Sequence, residues 1–149
     1  ALEKANELEN PLYKAILQID LGSIYMEKGA IDEAITAFTA SINVCNNIGE
    51  KKTVAIGYNN LGLLYKNQKQ YEKAVENYLE SVKIKRELKD IKSLSNTLYN
   101  IASLYFEMRV YDEALSYIQE AVELDKSNDD AQYRQSLALL TKIRRAKSQ

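Results

Sequence analysis

The chain has 149 residues, 46% hydrophobic and 28% charged, with 20 basic against 21 acidic residues and a net charge of −1. This is about one domain of ordinary globular composition; it lacks the field that draws in nucleic acid or an anionic membrane, and no run reaches the roughly 18 apolar residues of a membrane span. A lone cysteine, Cys45, cannot close an internal disulfide, and the lack of histidine removes the commonest general base and transition-metal ligand.

Glycine is scarce and there is a single proline, so the chain reads as all-helical from end to end. Residues 1–10 show no signal-peptide pattern, being charged from Glu3. They read as the end of a partial helix, because Leu8 shares a column with Ile48 and Leu88, and Asn10 with Glu50 and Asp90. From residue 11 a 40-residue period takes over: Tyr25, Tyr65 and Tyr105 fall 40 apart, as do Ala34, Ala74 and Ala114. Leu21, Leu61 and Ile101 match, as do the small residues Gly22, Gly62 and Ala102, the large residues Phe38, Tyr78 and Ile118, and then Ser41, Ser81 and Ala121. A fixed period of about 20–50 residues marks a stacked-repeat protein. The expected layout is a single domain with repeats at 11–50, 51–90 and 91–128, closed by residues 129–149.

Each repeat divides into two helical segments. The first has a helix from 11 to 28; the second has helix A over 52–68 and helix B over 71–89. Leu61, Leu64, Tyr65 and Gln68 fall at i, i+3, i+4 and i+7, one stripe of a helix. Gly62 and Ala74 leave no bulk where helices A and B cross, and Tyr65 and Tyr78 fill the volume beside that crossing. Tyr25, Tyr65, Tyr105, Tyr71 and Tyr78 are therefore expected in the core, at about 3–5 kcal/mol each on truncation to alanine. A lone helix pair would leave one apolar face wet, and the next pair covers it. After 125 the spacing shortens at DKSNDDAQY (125–133), and a final helix over 129–146 carries polar residues where a further repeat would dock, as a capping helix does.

The pattern L-G-x-x-Y, then a large residue and A-x-x-x-[FY], resembles the tetratricopeptide repeat. Here it is Leu61, Gly62, Tyr65, Tyr71, Ala74 and Tyr78, phased with copies 40 residues away on both sides. The period departs from the common 34 residues, with the additions near IGEKKT (48–53) and LKDIKS (88–93). The resemblance implies a right-handed α-solenoid of stacked antiparallel helix pairs. It also implies protein or peptide binding on the side of helix A turned away from helix B. Long repeats of this kind look like those of bacterial signalling and adaptor proteins.

That side carries Ile16, Ile19, Asp20, Ser23, Met26 and Glu27 in the first repeat. In the second it carries Ile56, Asn59, Asn60, Leu63, Lys66 and Asn67, and in the third Asn96, Tyr99, Asn100, Ser103, Phe106 and Glu107. The common spacing puts each set on one stripe. Ile19, Leu63, Tyr99 and Phe106 give it apolar patches of the kind that mark interaction sites. Its asparagines offer donor and acceptor side by side, able to grip a peptide bond whatever the side chain. Helices about 8–10 Å apart against about 3.3 Å per extended residue set one asparagine per three residues of bound chain. The plainer reading is a solvated polar face. The lysine–asparagine–arginine clamp with which some relatives hold chaperone C-termini is not matched: Ile19, Ser23, Asn96 and Asn100 stand where cations or asparagine belong, and Asn60 alone fits.

No chemistry is expected, and neither a metal nor a cofactor. Asp32/Glu33 and Asp112/Glu113 open helix B, where acids favour the positive end of the dipole. KIRRAK (142–147) reads as a solvated helix end. Cys45 aligns with the polar Lys85 and Asp125, which predicts partial exposure. The lone thiol fits a reducing compartment, so a cytoplasmic location is expected, alone or within a larger membrane-associated protein. The alternative to groove binding is a scaffold that self-associates as a homodimer through the N-terminal end, at Leu12, Tyr13 or Ile16.

Overall fold

The computed structural model describes residues 9–127 and 130–149. Among these residues there are seven helices and no strand. They are α1 (Pro11–Glu27), α2 (Ile31–Ile48), α3 (Lys51–Asn67), α4 (Tyr71–Glu87), α5 (Ile91–Glu107), α6 (Tyr111–Asp125) and α7 (Ala131–Ser148). The fold is all-α, of the solenoid class built from helix pairs. Most of the expected partial helix before residue 11 lies outside the described residues. The chain divides into two compact units, Ala1–Ile84 and Lys85–Gln149.

Local chemistry sets the helix ends. Asn10 caps α1, its Oδ1 accepting from the Leu12 amide at 2.9 Å, with Pro11 behind it. Asp90 and Asp130 cap α5 and α7, accepting from the amides of Ser93 (3.3 Å) and Tyr133 (3.1 Å). Each A-to-B turn passes through one left-handed residue: Gly29 at φ 76°, Lys69 at 58° and Arg109 at 62°. The next amide then donates back to a tyrosine carbonyl: Ala30 to Tyr25, Gln70 to Tyr65 and Val110 to Tyr105, each at 2.9 Å. This is a Schellman-type stop. Three residues between helices leave room only for an antiparallel hairpin.

The hairpins close on small residues. A Cβ placed on Gly22 would lie 2.6 Å from the Phe38 ring, and one on Gly62 would lie 2.7 Å from the Tyr78 ring. Ala102 holds the third such position and Ile118 stands in the column of the rings, and both are fully buried. Gly57 lets α2 approach α3 in the same way, since a Cβ there would meet Ile42 at 2.6 Å. Around these crossings unit 1 packs Ala15, Ala34, Phe38, Cys45, Val54 and Leu64. Unit 2 buries Leu94, Leu98, Ile101, Leu104, Ile118 and Ile143.

Three expectations need correction. Cys45 is not partly exposed: it is fully buried, and its column partners Lys85 and Asp125 are buried too, at 8% and 4% exposure. The polarity of that column is met from within. Lys85 Nζ donates to Thr97 Oγ1 at 2.7 Å, and Asp125 accepts from Gln132 Nε2 and Ser136 Oγ, both at 3.3 Å. Of the tyrosines, Tyr78 alone is core, at 1% exposure. Tyr25, Tyr65, Tyr105 and Tyr71 are half-buried, because a hydroxyl at the end of a long ring reaches water from the hairpin edge. Lys73 Nζ lies 5.4 Å over the Tyr65 ring, and Tyr105 stacks on Tyr117 with centroids 5.7 Å apart. Leu64 and Leu104, one residue earlier, fill the core instead. Finally, α7 starts 40 residues after α5, so the spacing does not shorten. Its buried residues, Ser136, Leu139, Leu140 and Ile143, are not those that the 40-residue period would place there from Leu94, Leu98 and Ile101.

Candidate functional site

In unit 1 the helices α1 and α3 pack side by side, which brings two predicted stripes together. Ile16 is 44% and Ile56 41% exposed; Ile19, Ser23, Asn59, Asn60, Leu63 and Lys66 are half-buried, and Asp20 and Asn67 are exposed. The Ser23 hydroxyl donates to the Ile19 carbonyl at 3.0 Å, so its proton serves its own helix. No hydrogen bond among the described residues engages the Asn60 side chain. Between the helices lies a cavity of about 330 Å³ lined by Ile16, Ile19 and Asp20 of α1 and by Lys52, Thr53 and Ile56 of α3. The stripe rule had found four of these six, leaving out Lys52 and Thr53 from the turn before the predicted face.

In unit 2 the partner of α5 is α7. Asn96 is exposed, while Tyr99, Asn100, Ser103 and Phe106 are half-buried. The Asn100 amide, like that of Asn60, has no side-chain hydrogen bond among the described residues. Tyr99 joins Gln135, Ala138, Leu139 and Lys142 around a cavity of about 260 Å³. Phe106 is not an open apolar pocket. Lys142 Nζ sits 5.2 Å over its ring, and the Tyr111 ring lies 6.0 Å away. Sequence reasoning had given α7 only a capping role and so missed Gln135 and Lys142.

No group of three or more potential metal ligands forms among the described residues. Burial pushes the Cys45 thiol above its usual range, away from thiolate chemistry, with the neighbouring Ser41 and Thr53 opposing that shift. Burial also holds the Lys85 ammonium below its ordinary pKa, with Asp90 opposing that shift. Neither group lines the two cavities described above. No helix among the described residues is long and apolar enough to cross a membrane.

The outer face of α1 is a different surface. Tyr13, Leu17, Leu21 and Ile24 form one stripe and are 37–47% exposed. Forty residues on, Thr53, Gly57, Leu61 and Leu64 are buried. Of the residues expected to pair two chains, Tyr13 belongs to this face. Leu12 packs on the unit 1 core and Ile16 turns to the cavity.

Family profiles described as tetratricopeptide repeat match residues 13–87 and 95–128. No curated protein matches the chain in sequence. Among solved structures it is similar to BtubC (BKLC) from P. vanneervenii, at 19% identity and a TM-score of 0.82 over 93% of this chain and 58% of that one. It is similar to the apo form of RapI at 17% identity and a TM-score of 0.85, over 98% of this chain and 54% of that one. A signal transduction ATPase with numerous domains from Pyrococcus horikoshii, with a tetratricopeptide repeat sensor, gives 20% identity and a TM-score of 0.85 over 95% of this chain and 22% of that protein. The chain thus spans little more than half of the first two and about a fifth of the third.

Proposed function

The chain belongs to the tetratricopeptide repeat family, and on that premise we propose that its A-helix stripes bind an extended peptide or a partner helix. Members of the family mediate protein–protein contact and are typically non-catalytic. The observation that carries the finer reading is the state of Asn60 and Asn100. Each is half-buried on a predicted stripe, and neither amide is engaged within the described residues. An amide with no partner in the chain can pair with a bound backbone, which supplies both its donor and its acceptor. The neighbouring Leu63 and Tyr99 supply apolar contact. The test is the pair Asn60→Ala and Asn100→Ala. Partners captured by the wild-type chain should be lost from the double variant while its melting temperature holds. Capture that is unchanged removes the asparagine clamp.

A role as a sensory or adaptor segment of a larger cytoplasmic signalling protein accords with the partial coverage of longer structures and with the sensor of the Pyrococcus ATPase. The exposed stripe Tyr13, Leu17, Leu21 and Ile24 supports a second reading, self-association through the outer face of α1. Light scattering at micromolar concentration decides it: a dimer that Leu17→Glu dissolves supports this reading, and a monomer excludes it.

A further inference from the structure

Resting on the groove reading above, the cavity between α1 and α3 points to a more specific occupant. We propose that it takes one branched aliphatic side chain of an extended peptide, flanked in the peptide by an acidic residue on the Lys52 side and a basic one on the Asp20 side. Three of its six lining residues are isoleucines, two of them more than 40% exposed. Side chains of this kind are stiff at χ1 in a helix, so the lining is set before anything binds. Thr53 is nearly buried, at 8% exposure, so its hydroxyl adds little polarity to the floor. No aromatic ring lines the cavity, so it has no platform for stacking a base or a planar ligand.

Its volume of about 330 Å³ lies at the small end of the roughly 300–1,000 Å³ that hold small ligands. That suits a side chain carried past on a strand. The charges sit at the rim, one on each helix, and both are exposed. Two opposite charges across an apolar floor favour a chain whose own charges are opposite and ordered, and disfavour the reverse order. The cavity would therefore read direction as well as hydrophobicity. The asparagines on the same stripe would read only backbone.

Three capped peptides test this on the intact chain: Ac-Glu-Leu-Lys-amide, Ac-Lys-Leu-Glu-amide and Ac-Glu-Gly-Lys-amide. Methyl NMR follows the isoleucine δ1 groups, and the side-chain amide resonances of Asn59 and Asn60 are read in the same titration. One leucine peptide should shift Ile16, Ile19 and Ile56 in a saturable way while the buried Ile101 and Ile118 stay still. The glycine peptide should bind about tenfold or more weakly, the scale of one buried aliphatic side chain. Charge exchange, Asp20→Lys with Lys52→Glu, should reverse the preference between the two leucine peptides. Both sites are exposed, so this variant should fold. Equal binding of the glycine peptide, shifts spread over all isoleucines, or a preference untouched by charge exchange would each overturn the proposal. Shifts at Asn60 without shifts at the three isoleucines would overturn it and leave the groove reading standing. Shifts at the isoleucines with silent asparagine amides would uphold the cavity and remove the clamp.

Discussion

Adding one methyl group to Gly62 should weaken the chain, although the same change usually strengthens a helix. A Cβ there would lie 2.7–2.9 Å from three atoms of the Tyr78 ring, and that ring, at 1% exposure, has nowhere to retreat. Overpacking of this kind costs about 1–3 kcal/mol. Alanine returns about 1 kcal/mol of helix propensity over glycine. The net effect of Gly62→Ala is thus a loss centred near 1 kcal/mol and reaching about 2, or roughly 2–8 °C in melting temperature for a chain of this size. The third repeat shows the compensation, since Ala102 stands in the Gly62 column and Ile118 in the Tyr78 column. Tyr78→Ile should remove the clash, so that Gly62→Ala in that background is neutral or stabilising by up to about 1 kcal/mol. Urea denaturation followed by circular dichroism on all four proteins gives the coupling, expected near 2 kcal/mol. Equal cost of Gly62→Ala in both backgrounds would show that the aromatic ring does not dictate the glycine.

Tyr78 also sets an alkaline limit. Burial pushes its hydroxyl up to about 12 from an ordinary 10.0. The folded chain therefore holds a proton that the unfolded chain releases, and this stability, complete below the unfolded value, is lost as pH rises toward the folded one. The loss is at most about 2–3 kcal/mol, and Tyr78→Phe should flatten the urea midpoint between about pH 10 and 12 relative to wild type. Lys69, Lys89 and Arg109 occupy left-handed turns at φ 56–62°. Glycine at any one of them should raise stability by about 0.5–1 kcal/mol, read as a higher urea midpoint at unchanged slope. Cys45 is fully buried with its thiol held protonated, so Ellman's reagent should react only as fast as unit 1 opens. Rapid labelling of the native chain would contradict that burial.

The fold was legible in the sequence because its signals are periodic and local. Gly22 and Gly62 announce the close crossings, Phe38 and Tyr78 the rings that need them, and the 40-residue spacing the stack. Burial of the polar column was not legible, since a lysine or aspartate in a repeat looks like surface until its partner, Thr97 or Ser136, is placed beside it. The depth of the tyrosines was misread for a related reason. Periodicity shows that a residue faces the neighbouring helix, but not how far its far end reaches into water. At the candidate site, the stripes on α1, α3 and α5 follow from helical spacing. Lys52, Gln135 and Lys142 do not, because which helix lies alongside which is a matter of packing. The rotated register of α7 hides two of them further.

The buried polar column has a bearing on how a chain of near copies avoids folding onto the wrong neighbour, a hazard of repeated sequences. At one position of the period the joints carry a thiol beside Thr53, an ammonium on Thr97, and a carboxylate held by Ser136 and Gln132. Exchange any two of these helices and a charge is interred without its mate, a fault worth several kcal/mol. The hairpins share a shape, yet each joint is keyed like a lock in a row of look-alike doors, so the order of the modules is written where they meet.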